Sequence, residues 1–199
     1  MAVITDDFNR ADANPAGGNW STLSGYHVVR IISQKLCSSS SGGDSGAYWN
    51  AATPGANQFV QYTISALTAG LAATWGLILR LNDGVGTMYQ AQHVPSIPRT
   101  QILKIITGTP TAISGEDTTP WQLNDVIYFE VNGTNLTLKR NGGTILTVSN
   151  GDITAAGSIG VRIPLFTGAA GSDSIDDFSG GDLATAFPLT VSLRDNLNG

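Results

Sequence analysis

The sequence predicts an all-β protein built as a two-sheet antiparallel sandwich, and three observations lead to this fold class. Apolar residues alternate with polar ones along the chain rather than recurring at helical spacing. Only 13% of the residues are charged, so the polar surface must come from small uncharged residues, a composition that is poor for helices. Asn-Gly pairs end at residues 133, 142 and 151, and this dipeptide is the strongest short-range signal of a β-hairpin.

The strands of the first half follow from short alternating runs. Residues 74–81 show the pattern most clearly, because Trp75, Leu77 and Leu79 point to one face and Gly76 points to the other. The remaining strands predicted before residue 95 are 26–30, 35–39, 46–50, 58–66 and, after a turn at 82–86, 87–94.

The second half of the chain contains the clearest hairpins. Residues 126–131, 135–140 and 144–149 are joined by Asn-Gly pairs and predict a three-stranded meander. The total is about thirteen strands, with no segment long and periodic enough for a helix, which is typical of a sandwich or barrel. The other strands predicted in this half are 99–107, 110–114, 158–163 and 174–179.

The length of 199 residues fits one domain, because all-β sandwiches of this size seldom divide. We expect residues 1–183 to form the sandwich and residues 184–199 to form a C-terminal extension or arm, since the composition changes after Leu183. The motif Asp-Asp-Phe occurs near both ends, at residues 6–8 and 176–178. This near-repeat predicts that the first and last strands of the sandwich lie side by side.

The charge and cysteine content argue against several classes of partner. The net charge is −5 with no basic cluster, so we expect neither nucleic acid nor an anionic membrane surface as a partner. The N-terminus lacks the basic and apolar regions of a signal peptide, and no apolar run is long enough to span a membrane. The single cysteine, Cys37, is expected to be a buried and inert thiol.

A resemblance to a known family begins near the N-terminus. The opening Asp-Asp-Phe-Asn-Arg-Ala-Asp at residues 6–12, followed by Gly-Asn-Trp at 18–20, resembles the start of concanavalin A-like (laminin-G-like) lectin/glucanase domains. Residues 76–80, 126–133 and 175–178 match the same family, so the resemblance covers the predicted sandwich. It implies a jelly-roll sandwich with a concave face that binds glycans in many relatives. Such domains occur in bacterial surface proteins and in tailed-phage virion proteins.

The carboxylate pattern argues against catalysis. Glycoside hydrolysis usually requires two carboxyl groups at a set separation, and glucanases of the resembled family place them on one strand as Glu-x-Asp-x-(x)-Glu. The two glutamates, Glu116 and Glu130, stand in different segments, and adjacent aspartates such as Asp6 and Asp7 point to opposite faces of a strand. We therefore expect a non-catalytic protein, with a glycoside hydrolase or polysaccharide lyase of unrecognised site as the alternative.

Strand alternation also predicts one polar face suited to carbohydrate. If Leu103 and Ile105 fill the core with the apolar residues of neighbouring strands, the polar residues between them lie together outside. Planar polar groups beside an aromatic ring suit sugars, which present hydroxyls and an apolar C–H face. The alternative is a solvated sheet whose charges pair across strands. The candidate carbohydrate-binding residues are Arg80, Gln90, Gln92, Lys104, Tyr128, Glu130 and Arg162.

Aspartates near the two ends of the sandwich give a candidate calcium site. Calcium prefers hard oxygen ligands, and pairing of the terminal strands would bring acidic residues near one another. No other cofactor is expected, because the Cys and His residues show no zinc-ligand spacing. The candidate calcium ligands are Asp6, Asp7, Asp176 and Asp177.

These observations favour a non-catalytic, lectin-like virion structural protein: a decoration, fibre or tail component. We expect it in the virion of a tailed phage, which needs no secretion signal because lysis of the host releases the particle. The expected partners are other virion subunits, further copies of the chain and host surface glycans. A purely structural assembly module without a ligand is a further alternative.

Overall fold

The computed structural model describes residues 3–40, 42–68, 73–165 and 171–183, and within these residues all regular secondary structure is β-strand. In the same residues, no helix is long and apolar enough to cross a membrane. The strands are β1 (Val3–Asp6), β2 (Trp20–Thr22), β3 (Val29–Ile32), β4 (Lys35–Ser38), β5 (Ser45–Trp49), β6 (Gln58–Ala66), β7 (Trp75–Asn82), β8 (Thr87–Val94), β9 (Arg99–Ile106), β10 (Thr109–Ala112), β11 (Val126–Asn132), β12 (Asn135–Arg140), β13 (Gly143–Ser149), β14 (Ser158–Ile163) and β15 (Ser174–Asp182).

The strands form two antiparallel sheets packed face to face. The first sheet has the order β13-β12-β11-β6-β15-β4-β3, with β1 also paired to β15. The second sheet has the order β10-β9-β8-β7-β14-β5-β2. Several consecutive strands, such as β5, β6 and β7, belong to alternate sheets, so the chain passes repeatedly from one layer to the other. The predicted all-β, two-sheet antiparallel sandwich is confirmed.

The first and last strands of the sandwich are neighbours, as the near-repeat predicted. β1 pairs antiparallel with β15, placing Ile4 opposite Gly180 and Asp6 opposite Phe178. The predicted meander is also confirmed: β12 pairs with β11 on one side and with β13 on the other. Gly133 and Gly142 occupy its turns with φ of 60° and 80°, the left-handed conformation that Asn-Gly hairpins require. The predicted arm at 184–199 lies outside the described residues.

The hydrophobic core lies between the two sheets and follows strand alternation on most strands. Leu77 and Leu79 of the second sheet and Ile127 and Phe129 of the first are fully buried in one cluster. Cys37 is buried as well. Burial of aliphatic and aromatic side chains stabilises the fold by about 1.5–3 kcal/mol for each residue.

The prediction that Leu103 and Ile105 of β9 fill the core between the sheets is wrong. Ile102, not Leu103 or Ile105, points inward, because β9 pairs with β8 so that Ile102 lies opposite the core residue Ala91. Leu103 and Ile105 therefore lie on the outer face of the second sheet, where they are nonetheless buried. Apolar residues occupy both faces of this strand, Ile102 and Ile106 on one and Leu103 and Ile105 on the other, so alternation alone does not orient it.

The segment predicted as a strand at 26–30 begins later than expected. β3 starts at Val29, and the preceding residues form a loop in which Gly25 has a φ of 82° and the Tyr26 amide donates to the Leu23 carbonyl. This loop folds over Gly46 of β5, where a Cβ atom would lie 3.0 Å from the Tyr26 ring. Tyr26 thus reaches the outer face of the second sheet.

Candidate functional site

The outer face of the second sheet carries a depression of about 440 Å³. β8 and β9 form its floor, the hairpin from β9 to β10 forms one side, and β14 with the loop before β3 forms the other. The depression is lined by Ser24, Tyr26, Gly86, Met88, Gln90, Gln92, Leu103, Ile105, Gly108, Pro110, Ala112 and Arg162.

Strand register brings three polar residues of this face close together. On β7, Gly76 lies opposite Gln92 of β8 on one side and opposite Arg162 of β14 on the other. A Cβ atom at Gly76 would lie 3.1 Å from the Arg162 Cβ and 3.4 Å from the Gln90 Cδ. The absence of a side chain at position 76 therefore lets the amide of Gln90 and the stem of Arg162 approach each other.

The other end of the depression is aliphatic. Met88 and Ile105 lie opposite each other on β8 and β9, and both belong to a buried cluster outside the main core. Leu23 of the overlying loop and Ile78 of β7 are fully or nearly fully buried in the same cluster. The depression thus has a polar end and an apolar end, the usual construction of a small-molecule site.

Arg162 is held by the partly buried carboxylate of Asp44 rather than left free. Its Nε and Nη2 atoms donate to Asp44 Oδ2 over 2.9 and 2.6 Å, and Asp44 Oδ1 also accepts the Leu165 amide at 3.1 Å. The Arg162 Cζ lies 5.3 Å from the centre of the Tyr26 ring, within the range of a cation–π contact. The pair carries no net charge, and its geometry is fixed by hydrogen bonds on both partners.

Gln90 is the unusual residue of the site. Its side chain is fully buried, yet neither its Nε2 nor its Oε1 atom has a hydrogen-bond partner among the described residues. Leaving a buried polar group unpaired costs about 1–3 kcal/mol, so such groups are rare in folded proteins. Packing alone would favour an apolar residue here, which makes Gln90 a candidate for a role in binding.

Carboxylates do not line this depression in the described part of the chain. Glu116 accepts a hydrogen bond from Gln101 at 3.1 Å and lies 3.9 Å from Arg99. Glu130 lies on β11 of the first sheet, in the other layer. The two glutamates therefore do not form a pair.

The predicted residues Tyr128 and Glu130 lie on the outer face of the first sheet. The Tyr128 hydroxyl donates to Glu130 Oε2 at 2.6 Å, and burial together with this neighbouring carboxylate raises the pKa of Tyr128. Lys139 Nζ lies 3.2 Å from Glu130 Oε1 and 4.8 Å from the centre of the Tyr128 ring. The Phe59 ring stacks on Tyr128 with centroids 5.5 Å apart. The polar groups of Tyr128, Glu130 and Lys139 are thus paired with one another, and Phe59 covers the Tyr128 ring.

Arg80 and Lys104 do not join the predicted face either. Arg80 is 2% exposed and sits in a β-bulge of β7 with a φ of 51°, so the alternation that placed it outside is interrupted. Lys104 shares the parity of the core residue Ile102 and forms an ion pair with Asp152 at the sandwich margin. Of the seven candidate carbohydrate-binding residues, the structure brings together Gln90, Gln92 and Arg162.

Three of the four candidate calcium ligands, Asp6, Asp7 and Asp177, line one depression beside the paired strands β1 and β15, whereas Asp176 does not line it. Asp6 accepts hydrogen bonds from the Phe8 amide at 2.9 Å and from Trp20 Nε1 at 2.8 Å. Asp176 forms an ion pair with Lys35, while Asp177 lies at a β-bulge with a φ of 48°. Asp7 accepts from its neighbour Asn9. The described residues contain no group of three or more His, Cys, Asp or Glu side chains arranged around one point.

Sequence reasoning missed Tyr26, Asp44 and the aliphatic floor of the site. The sequence pattern places Tyr26 in a strand, and Asp44 stands in a Ser/Gly-rich segment without a distinguishing signal. The same pattern places Leu103 and Ile105 in the core, although apolar residues on both faces of β9 indicate that both faces are covered.

No family model matches this chain, and neither does any curated protein. Solved structures do match it. A carbohydrate-binding module, CBM66, from Bacillus subtilis superposes with a TM-score of 0.63 at 15% identity, covering 82% of this chain and 92% of that chain. A β-glucanase from Bacillus licheniformis gives 0.61 at 12% identity, covering 92% and 99%. The fold is a concanavalin A-like jelly roll. At these identities the likeness shows the fold alone.

A third match comes from outside the bacteria and widens the range of proteins that share this jelly roll. A legume lectin-like domain from Entamoeba histolytica gives a TM-score of 0.55 at 13% identity, covering 83% of this chain and 91% of that chain. The same jelly roll thus occurs in a carbohydrate-binding module, a glucanase and a lectin-like domain, so function must be argued from the site.

Proposed function

We propose that this protein is a non-catalytic, lectin-like domain that binds carbohydrate in the depression on the outer face of the second sheet. The observation that carries the proposal is the division of that depression into an aliphatic end and a polar end, with the amide of Gln90 unpaired beneath it. Sugars combine hydroxyl groups with apolar C–H surfaces, so they match a site of this construction. The printed names of two structural neighbours, a carbohydrate-binding module and a lectin-like domain, support the same class of ligand.

A glycan array tests the proposal directly. We expect wild type to bind at least one glycan and Gln92→Ala to weaken that binding by about tenfold, since a lost hydrogen bond to a ligand costs about 1–1.5 kcal/mol. Gln61→Ala is the matched control, because Gln61 lies on the outer face of the first sheet, opposite Tyr128 of β11. Silence across the array would reject carbohydrate binding and favour a structural assembly module.

The absence of catalysis is part of the proposal. A glycosidase needs two carboxyl groups facing each other across the substrate, roughly 5–9.5 Å apart. No carboxylate lines the depression in the described residues, and the nearby Asp44 is already bound by Arg162. A β-glucanase is among the proteins of this fold, so hydrolysis is the alternative. Release of reducing sugar from a panel of polysaccharides, absent from a heat-denatured control, would overturn the non-catalytic assignment.

We also propose that the domain is a structural component of a tailed-phage virion, where it contacts host glycans or neighbouring subunits. The support is the motif at residues 6–12 and its resemblance to domains of such particles, together with the low charge of the chain. Mass spectrometry of purified particles tests this location. We expect peptides of this chain at constant ratio to the major structural proteins, and their absence after stringent purification would contradict the proposal.

A further inference from the structure

The chemistry of the depression specifies more than carbohydrate in general. Gln90 has two unpaired polar atoms side by side, Nε2, which donates, and Oε1, which accepts. Two neighbouring hydroxyl groups of a sugar ring match this pair, because one hydroxyl donates to Oε1 while the other accepts from Nε2. A vicinal diol is therefore the group that satisfies both atoms of Gln90.

The aliphatic end constrains the other side of the ligand. Leu103 lies directly opposite Gln90 on β9, and Met88 and Ile105 continue the apolar surface away from it. Pro110 and Ala112 of β10 complete this aliphatic wall, and the ring of Tyr26 packs against the same cluster from the overlying loop. A flat aromatic ring suits the C–H face of a sugar, whereas a concave aliphatic wall suits a methyl group. An ordinary hydroxymethyl group would place a hydroxyl against this wall without a partner.

The charges of the site disfavour acidic sugars as ligands. Arg162 is the only cationic residue lining the depression in the described part of the chain, and Asp44 already neutralises it. A uronic or sialic acid would bring a carboxylate to a site with no net positive charge to receive it. An uncharged ligand meets no such penalty.

We infer that the depression recognises an uncharged 6-deoxyhexose, with a vicinal diol on Gln90 and the methyl group against Met88, Leu103 and Ile105. This inference rests on the proposed function. Gln90 lies beneath the surface, so the ligand reaches it when the partly exposed side chain of Gln92, two residues along the same strand, moves aside.

Two pairs of sugars that differ only in the 6-hydroxyl test the inference: L-rhamnose against L-mannose, and L-fucose against L-galactose. We expect glycans ending in one of the deoxy sugars to bind about tenfold more tightly than the matched parent, because hydrophobic pockets discriminate by about this factor. Binding should be equally strong at low and high salt, since no net charge is involved.

Gln90→Leu provides a second and independent readout. It removes two buried unpaired atoms while keeping the volume similar, so we expect a melting temperature equal to or above that of wild type together with loss of binding. Gln61→Leu, in the other sheet, is the matched control and should leave binding unchanged.

The outcomes separate the two proposals. A preference for the deoxy sugars that is lost in Gln90→Leu supports the inference. Equal binding of each pair, stronger binding of N-acetylated or acidic sugars, or a clear drop in melting temperature for Gln90→Leu would overturn it while leaving carbohydrate binding intact. Failure to bind any glycan of the array would instead reject the proposed function.

Discussion

Arg80 shows how one residue can fasten several backbone segments. Its guanidinium donates to the carbonyl oxygens of Ala56 at 2.8 Å, Gly133 at 2.7 Å and Ile153. Its own backbone amide donates to Gln58 Oε1 at 2.7 Å. Burial lowers the pKa of Arg80, but an arginine of this kind remains protonated at neutral pH. The side chain joins loops of both sheets. Its guanidinium donors are directed at backbone carbonyl groups rather than at a ligand.

Replacing Arg80 should therefore affect stability rather than binding specificity. We expect Arg80→Ala to lower the free energy of unfolding by about 3 kcal/mol, because one buried and two partly buried carbonyl groups lose a charged donor. Urea denaturation followed by tryptophan fluorescence measures this. Arg99→Ala is a suitable comparison, since Arg99 is 38% exposed in its side chain and should change stability by less than about 0.5 kcal/mol. Equal effects of the two substitutions would contradict the role given to Arg80.

His93 is buried in the core and predicts a pH dependence of stability. It lies against Trp121 with ring centroids 4.7 Å apart, and its Nδ1 atom lies 2.9 Å from Thr100 Oγ1. Burial lowers the pKa of His93 from 6.5 to about 4, with Asp117 and Asp125 partly opposing the shift and Arg140 adding to it. The folded protein therefore keeps this imidazole neutral at pH values where the unfolded chain protonates it.

The sign of the effect follows from linkage. As the pH falls from about 6.5 to about 4, the unfolded state binds the proton first, so the free energy of unfolding decreases. At pH 5 the loss is about 2 kcal/mol relative to neutral pH. In His93→Gln this loss should be absent, so the free energy of unfolding should fall less in the variant than in wild type between neutral pH and pH 5. Denaturant titrations at neutral pH and at pH 5 measure it, and parallel losses in both proteins would count against His93.

At the scale of the element, close backbone contact between strands shapes the second sheet. Gly160 of β14 lies beside β5, where a Cβ atom would be 2.6 Å from the Ala47 carbonyl oxygen and 3.2 Å from the Tyr48 Cα. β14 also pairs with β7, and the register there shifts between Ser158 and Gly160. The strand therefore has no room to move away from a new side chain on either side.

Gly160→Ala should separate β14 from β5 and lower the free energy of unfolding by roughly 2 kcal/mol, within the range for overpacking a core. Gly115→Ala is the control, because an added Cβ at Gly115 would meet nothing within 4 Å. Thermal unfolding of the two variants gives the comparison. If Gly160→Ala has the same melting temperature as wild type, the separation between β14 and β5 is larger than described.

At the scale of the whole molecule, aromatic side chains join the two ends of the described sandwich. Trp20 packs edge-on against Phe178 with centroids 4.8 Å apart and against Trp49 at 5.6 Å. Phe8 lies 6.1 Å from Trp20 on the same side. Asp6 orients this group through the indole N–H of Trp20 and also forms an ion pair with Arg10. The carboxylate of Asp6 thus has a structural role.

This arrangement predicts how the termini respond to mutation and to calcium. We expect Asp6→Ala to lower the free energy of unfolding by about 2 kcal/mol, because it removes a charged acceptor from partly buried donors. Calcium chloride and a chelator should each leave the melting temperature of wild type unchanged. An ion that bound the folded state would raise the melting temperature by mass action. A calcium-dependent rise that Asp6→Ala abolishes would instead support the calcium hypothesis.

The sequence by itself determined most of the strands, the Asn-Gly hairpins, the pairing of the ends and the inward faces of β7, β11 and β14. These features depend on local rules, because alternation fixes which residues of one strand share a face and Asn-Gly fixes the turn. Only the tertiary structure decided that Gln90 and Arg162 lie in one layer while Tyr128 and Glu130 lie in the other. Alternation does not say which sheet a strand joins, nor does it locate the bulge at Arg80 or the loop that carries Tyr26. Those choices depend on packing between distant segments, and they are the choices that assemble the candidate site.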